Sequence, residues 1–528
     1  MRDRKKRILV RGVNWIGDAV MTLPSFRVLR SEYRDSDVHL LAKDWIAPVF
    51  ASDPNIDGIV EYRAEYSGVV GKLSAAKVLR RGCYDTAVLL QNAFGAAVIA
   101  YLCGIPERIG YNRDGRGFLL SRAVPVTPDV RRLHHVLYYL NLLREAGLEA
   151  VYRHPWIYLE GDERLRAAET LQGLRRPVIV LNPGATYGSA KRWPVEHFAA
   201  LSEMIIRRLG GSVVLTGSDS ERGIASEIAG LIDKDLSASD SVMNLAGATP
   251  LRDLIAILSQ ADAVVSNDSG PMHLGYAVGT PVAAIFGSTD PALTGPPSSV
   301  HPEEAGFNAE TEFGLRDVVL RAETDCSPCF ERSCPRGDVI CLSRIRAEEV
   351  FDALLEIVPA RRAVFFDRDG VLCRDADYLN SLENFEVFPD VVMLNDLKDK
   401  GFLLIGVSNQ SGIARGVVSR EFTEGINRVF IERYGFDAFY YCPHHPDENC
   451  ACRKPSPGMA LLARSEFNID LRSSIVVGDK DSDMLLARNI GAEALLVTTG
   501  KAADSVHADR VFDSLREVTG YILGRLGG

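Results

Sequence analysis

A set of polar residues in the last third of the chain has the types and order needed to hydrolyse a phosphate ester. Asp367 and Asp369 stand one residue apart in "FFDRDGVLCRD", just after an apolar run. Ser408 closes "FLLIGVSNQSG", Lys454 follows a polar loop, and Asp479 and Asp483 lie in "VVGDKDSDM". Phosphomonoester hydrolysis needs a nucleophile, a proton donor for the leaving oxygen, a magnesium ion and cations on the phosphoryl oxygens. Asp367 can attack phosphorus to give an aspartyl-phosphate. Asp369 can protonate the departing oxygen and then activate water. Ser408 can hydrogen-bond the phosphoryl group and Lys454 can neutralise it. Asp479 can complete a magnesium site with Asp367 and the Asp369 carbonyl, with Asp483 supporting it. A lone Asp-x-Asp is most often a turn or a solvated pair. Here, matching residues close four runs in succession.

Soft ligands form a second set. Cys442-x-His444-x5-Cys450-x-Cys452 puts four within eleven residues, the count and softness of a structural zinc site. The alternative is reduced, buried cysteines, and His445 competes with His444 for the nitrogen position. Cys326-x2-Cys329-x4-Cys334-x6-Cys341 accounts for four more of the ten cysteines, either as another metal site or as packing. Three Gly-rich turns lie upstream. "GVNWIGDAVMTLPS" (12–25) places Asp18 near a helix start, where a carboxylate is usually a cap. "NPGATYGSAKRWP" (182–194) offers Lys191 and Arg192 to a diphosphate. "SNDSGPMHLGYAVGTP" (266–281) opens a helix at Ser269 and Gly270, whose amides suit a phosphate. By itself His273, one turn further in, is a satisfied helix histidine.

The elements that must position these residues follow one rhythm. Short apolar runs at 7–13, 85–91, 177–184, 212–218, 261–268 and 281–288 each end in a polar or turn residue and lead into a helical stretch. The rhythm restarts after 361 with "RRAVFFDRDG", "FLLIGVSNQSG", "SSIVVGDKDSD" and "EALLVTTG". This is the pattern of parallel α/β sheets, which bind ligands at the carboxyl ends of their strands. At 528 residues the chain is too long for one core. The expected domains are 1–172, 173–358 and 361–528.

Net charge is −10, unevenly spread: residues 1–170 hold 25 Lys/Arg against 20 Asp/Glu, hence +5. That basic third, beginning with Arg2, Arg4, Lys5, Lys6 and Arg7, suits an anionic partner or a membrane surface; the plain alternative is a solvated tail. No apolar run is long enough to span a bilayer, and Arg11, Asn14 and Asp18 break any secretory h-region.

From Asp367 onward the motif order resembles the haloacid dehalogenase superfamily of phosphatases. "SNQSGIARG", "YYCPHHPDENCACRKPSPGM" and "VVGDKDSDM" are similar to D-glycero-D-manno-heptose 1,7-bisphosphate 7-phosphatases over residues 362–528. Val371 departs from the Thr usual there. The resemblance implies His444 as the fourth zinc ligand. It also implies that Ser408, Asn409, Arg453 and Lys454 contact substrate phosphate. Short gaps between the motifs leave no room for a separate cap domain.

The three upstream turns resemble ADP-heptose:lipopolysaccharide heptosyltransferases over roughly residues 7–350, and "ATYGSAKRWP" is most like heptosyltransferase II. The resemblance implies two facing Rossmann-like domains ahead of a capless haloacid dehalogenase-like domain. It carries over Asp18 as general base, Thr186 and Lys191 as stabilisers of the ADP leaving group, and Asp268, Ser269, Gly270 and His273 as donor-site residues. The resemblances further imply that the transferase needs no metal and that the phosphatase uses Mg2+ and structural Zn2+. The implied partners are ADP-heptose, the lipopolysaccharide inner-core acceptor and heptose 1,7-bisphosphate, with no nucleic acid. The implied location is cytoplasmic, at the inner face of the inner membrane. Two rivals stay open: a histidinol-phosphate phosphatase at the C-terminus, and a non-catalytic sugar-nucleotide module at the N-terminus.

Overall fold

The computed structural model describes residues 5–237, 241–310, 314 and 316–525; Arg2 and Arg4 lie outside them. It contains three six-stranded sheets, every ladder parallel. The first holds β1 (Arg7–Arg11), β2 (Asp37–Ala42), β3 (Gly58–Glu61), β4 (Thr86–Leu89), β5 (Glu107–Tyr111) and β6 (Arg122–Val124). The second holds β7 (Val178–Asn182), β8 (Ser212–Leu215), β9 (Val242–Asn244), β10 (Ala263–Asn267), β11 (Val282–Phe286) and β12 (Asp317–Arg321). The third holds β13 (Arg362–Phe366), β14 (Phe402–Asn409), β15 (Ala438–Cys442), β16 (Ile475–Gly478), β17 (Glu493–Val497) and β18 (Arg510–Phe512).

The three sheets share one topology. Their spatial orders are β3-β2-β1-β4-β5-β6, β9-β8-β7-β10-β11-β12 and β15-β14-β13-β16-β17-β18. Each is the 3-2-1-4-5-6 order of dinucleotide-binding folds, in which the chain reverses direction of travel between strands one and four. The central strands are continuous apolar runs because helices cover both faces. Val178–Asn182, Ala263–Asn267 and Val282–Phe286 are buried throughout. The edge strands Gly58–Glu61, Val242–Asn244 and Arg510–Phe512 are partly exposed and mixed in polarity.

The chain divides into two compact units, one of residues up to 310 together with 316–357, and one of residues from 358 on together with 314. The first unit holds the first two sheets. In the second, only short 3-10 turns and the four-residue helix Asn395–Lys398 lie between β13 and β14. Val371 is fully buried in the core there, which an apolar side chain suits. No helix among the described residues is long and apolar enough to cross a membrane.

Candidate functional sites

Five of the chemistry-bearing residues sit where a sheet's topology reverses, at the carboxyl end of its first or fourth strand, while Ser408 and Asn409 close β14 and Cys442 closes β15. Parallel strands leave a crevice at that point because their two crossovers go to opposite faces. Asp18 follows β1, Lys191 follows β7, Asp268 follows β10, Asp367 follows β13 and Asp479 follows β16.

Asp18 lies in the first turn of the helix Ile16–Glu32. Its Oδ1 is 3.4 Å from Nδ1 of His135, which opens the helix His135–Glu145. The Tyr139 hydroxyl, one turn further on, reaches the same carboxylate; burial and then the Asp18 charge push this phenol well above its ordinary range. Gly17 lets the helix start touch the second sheet's helix Gly270–Ala277. A Cβ at Gly17 would lie 2.7 Å from the His273 ring, closer than real Cβ contacts allow. His273 is buried, its Nδ1 2.8 Å from the Tyr276 hydroxyl, and burial lowers it to about 4, so the ring is neutral at pH 7.

Beyond His273, Lys191 Nζ is 2.5 Å from Asp268 Oδ2 and lies over the Tyr187 ring. Thr289 donates to the same Asp268 oxygen at 2.6 Å. Ser269 directly precedes the helix Gly270–Ala277 without a side-chain bond to its amides, and its Oγ accepts from Asn182 Nδ2 at 3.0 Å. Thr186 is exposed in the turn that carries Lys191. That turn rests on the Cys326–Cys341 loop: Ala190 N–H donates to the Arg332 carbonyl and the Tyr187 hydroxyl to that of Phe330. All four loop cysteines are free thiols. They are not among the groups whose ligand atoms lie within 4.8 Å of one another.

The third sheet gathers the most charge. Lys454 is buried, its Nζ 2.9 Å from Asp367 Oδ1, 2.6 Å from Asp483 Oδ1 and 2.8 Å from the Val407 carbonyl. Burial works against its charge, but the Asp367 and Asp483 carboxylates hold it above the ordinary lysine range. Burial likewise opposes ionisation of Asp367, and Lys454 and Lys480 outweigh it, holding the carboxyl low. Asp479 is pushed up by burial and by Asp367. Burial pushes Asp483 up to about 6 against the pull of Lys454. Gly370, with φ of 93°, permits this crowding: a Cβ there would sit 2.5 Å from Asp479 Oδ2.

The Asp369 carboxylate is held by Arg368, through Nε and Nη2 at 3.0 Å each, and by Gln410 Nε2 at 2.7 Å. Gln410 also donates to Ser408 Oγ at 2.8 Å. Asn409 uses both ends of its amide on the Lys454 backbone, at 3.0 and 3.1 Å. Arg453 has a buried Nη1 without a hydrogen-bond partner, a donor still available to an anion.

Among the described residues, two groups of ligand atoms, each within 4.8 Å of one another, have the chemistry of cation sites. One is Asp367, Asp479 and Asp483. Lys480 shows that a cation fits beside it. Its ammonium lies 3.1 Å from Asp479 Oδ1, 3.7 Å from Asp367 Oδ2 and 3.5 Å from the Asp369 carbonyl. Those are the three oxygens expected to hold magnesium. The other group is Cys442, His444, Cys450 and Cys452. Its sulfurs are 3.5 Å apart for Cys442–Cys450 and Cys450–Cys452, and His444 Nδ1 is 3.1 Å from Cys452 Sγ. A tetrahedral zinc with Zn–S bonds of about 2.3 Å separates its sulfurs by roughly 3.7 Å, so the donors fit. His445 turns away, its Nδ1 3.2 Å from Asp447.

Sequence reasoning missed His135, Tyr139, Thr289, Arg368, Gln410 and Lys480. The histidine pair opening "HHVLYYL" and the lysine inside "GDKDSD" were the available signals.

The glycosyltransferase family 9 (heptosyltransferase) model matches residues 72–340, and a HAD-hydrolase-like model matches 451–518. Lipopolysaccharide heptosyltransferase 2 of Salmonella typhimurium is 31% identical over 299 residues, 55% of this chain and 85% of that protein. The D-glycero-beta-D-manno-heptose-1,7-bisphosphate 7-phosphatase of Yersinia pestis is 42% identical over 181 residues, 31% of this chain and 96% of that protein. Among solved structures, E. coli ADP-heptose lipopolysaccharide heptosyltransferase II aligns with a TM-score of 0.55 and 26% identity, covering 67% of this chain and 98% of that one.

Proposed function

The chain belongs to glycosyltransferase family 9, the heptosyltransferases, with a HAD-type heptose-bisphosphate phosphatase fused behind it, and from that membership we infer a bifunctional enzyme of the lipopolysaccharide inner core. Its N-terminal part transfers heptose from ADP-heptose to the inner core. Its C-terminal part removes the 7-phosphate of D-glycero-D-manno-heptose 1,7-bisphosphate. One observation carries the reading: each membership comes with its own set of charged groups at the switch point of its own sheets. We take 1–172 as the acceptor domain, 173–358 as the ADP-heptose domain and 361–528 as the phosphatase.

In the transferase, Asp18 takes the acceptor hydroxyl's proton as the new bond forms. His135 and Tyr139 hold the carboxylate in place. Lys191, with Thr186, meets the negative charge that builds on the departing diphosphate. The amides opening the helix at Ser269 and Gly270 face the donor phosphates. Neutral His273 packs against Gly17 and fixes the separation of base and donor.

In the phosphatase, Asp367 attacks phosphorus while Lys454, Ser408 and Arg453 bind the phosphoryl oxygens. Asn409 braces Lys454. Asp369 delivers a proton to the leaving oxygen and then takes one from water; Arg368 and Gln410 aim it. A magnesium ion held by Asp367, Asp479 and the Asp369 carbonyl, with Asp483 behind, would neutralise phosphoryl charge when bound. Zinc on Cys442, His444, Cys450 and Cys452 would pin the loop that leads into Arg453 and Lys454. We place the enzyme in the cytoplasm, at the inner face of the inner membrane.

The test is to supply the purified full chain with heptose 1,7-bisphosphate, histidinol phosphate, and ADP-heptose plus inner-core acceptor. Phosphate release from the first and heptosyl transfer from the third are expected. Preference for histidinol phosphate would overturn the phosphatase assignment, and ADP-heptose binding without transfer would reduce the N-terminal part to a binding module.

A further inference from the structure

An arginine that the transfer chemistry does not use bridges the two sheets of the first unit. Arg252 stands in the first turn of the helix Leu251–Gln260, which leads into β10 and so to Asp268. A cation at that end opposes the helix dipole, so the helix's own stability does not account for it. Its side chain is only 15% exposed and meets three segments. Nε and Nη2 fork onto the two carboxylate oxygens of Glu163, at 2.5 and 2.8 Å. Nη2 also donates to the Tyr158 carbonyl at 2.6 Å, in the connector that joins the sheets. On the side of the first sheet, Nη1 donates to the Pro48 carbonyl at 3.2 Å and Nη2 to Ser52 Oγ at 3.0 Å. Both acceptors belong to the stretch around the 3-10 turn Ala47–Phe50, which follows β2.

That turn is packed onto the helix of the base. The buried Phe50 ring lies 5.2 Å from the buried Phe26 ring, on the helix Ile16–Glu32 about two turns along from Asp18. The close approach of Gly17 to His273 fixes one point of that helix against the donor helix. A single point leaves the helix free to pivot, and Arg252 supplies another. Burial opposes the Glu163 charge, but the Arg252 bond and the Glu160 N–H outweigh it and hold the carboxyl below its ordinary range, so the pair is ionised at pH 7. A buried ion pair is weak ground for stability, because apolar side chains of the same volume often do as well. What the planar fork adds is direction: it serves a carboxylate and several oxygens at fixed angles. We propose that Arg252 is a positioning residue for heptosyl transfer, holding the helix that carries Asp18 at the separation from the donor residues that the displacement needs. The proposal rests on the heptosyltransferase reading, which makes Asp18 the base.

The experiment compares the full chain, unsubstituted, with Arg252→Ala and Ser52→Ala. Heptosyl turnover at saturation, ADP-heptose binding by calorimetry, and hydrogen exchange of the amides over residues 15–19 and 46–53 without substrates are measured on each. Arg252→Ala should lower turnover by about 10–100-fold, since a shift of about 1 Å between reacting groups is enough for that. Donor affinity should stay within about twofold, because Lys191, Asp268 and Ser269 share no partner with Arg252. Exchange should quicken in both segments. Free guanidinium ion, added below denaturing concentrations, should restore part of the lost rate. Ser52→Ala removes one acceptor and leaves the Glu163 pair, so it should lower turnover less, with donor binding intact. Unchanged turnover in Arg252→Ala overturns the proposal. So does donor binding that falls in step with turnover, which would make the arginine a prop of the second sheet, or exchange that quickens over 46–53 and not over 15–19, which would cut the link to Asp18. No transfer by the unsubstituted protein would count against the heptosyltransferase reading, and the exchange result would then decide by itself whether Arg252 holds the Asp18 helix.

Discussion

Lys480 shows how one residue can bear on a site that its position in a motif does not reveal. Its ammonium rests among Asp479, Asp367 and the Asp369 carbonyl, so an arriving divalent ion must displace it. Asp375, 3.6 Å from the same nitrogen, offers it another partner. Lys480→Met removes that competition. Magnesium affinity by calorimetry should rise, roughly tenfold once the side chain's partial exposure is allowed for. Unchanged or weaker affinity would mean that the lysine does not compete for the metal's place. Asp18 makes the opposite kind of claim, because its role depends on a proton. Asp18→Ala should lower heptosyl turnover by about 10²–10⁴-fold, the usual worth of a general base. Donor affinity should hardly move, since Lys191 and Asp268 pair independently of Asp18. Lost donor binding with turnover kept at saturation would make Asp18 a structural residue.

At the scale of elements, the zinc loop and a buried turn each give a measurable result. Metal analysis of the purified protein should find about one zinc per chain. Stripping it, or Cys450→Ser, should abolish phosphatase activity and spare heptosyl transfer, because the loop leads directly into Lys454. Full phosphatase activity without zinc would contradict a structural role. In the first unit, Asp53 is buried, with Oδ1 accepting from Asn55 N–H and Nδ2 at 2.9 and 2.8 Å. Burial pushes it up to about 6, against an ordinary 3.8. The folded state therefore binds the proton more tightly than the unfolded one, and stability falls as pH rises from the lower value through the higher. Asp53→Asn keeps the acceptor and removes the charge, so it should stabilise the protein at pH 7 by on the order of 2–3 kcal/mol. Thermal melts should show the gain vanishing near pH 4; a gain that persists there would contradict the assignment.

The sequence made the central strands legible because buried parallel strands read as unbroken apolar runs, as at Val282–Phe286. Edge strands such as Arg122–Val124 and Val242–Asn244 are short, partly polar and held by a single neighbour, so periodicity does not reveal them. Site residues at strand ends could be read for the same reason as the strands. His135 could not, because it reaches Asp18 from a helix 117 positions away. Nor could Arg368, which turns back onto its neighbour Asp369 instead of alternating to the other side. Spacing by itself did not separate His444 from His445; the family resemblance did, and in the folded loop His444 Nδ1 lies 3.1 Å from Cys452 Sγ.

Considered whole, the chain repeats one sheet topology three times and uses it for two reactions on one sugar. The phosphatase product still bears a phosphate at C1, whereas the transferase consumes a nucleotide-linked sugar. An adenylyl transfer must therefore come between them, and neither site needs the other's product directly. Each set of charged groups is built within one unit: Asp18, Lys191 and Asp268 before Ile357, and Asp367, Lys454 and Asp479 after it. The two activities should therefore fail separately. The most direct measurement assays both reactions on the same preparations of the full chain carrying Asp367→Asn or Asp18→Ala. Asp367→Asn should lose phosphate release from heptose 1,7-bisphosphate and keep heptosyl transfer, and Asp18→Ala should do the reverse. Phosphate release that survives Asp367→Asn, or transfer that survives Asp18→Ala, would contradict the account.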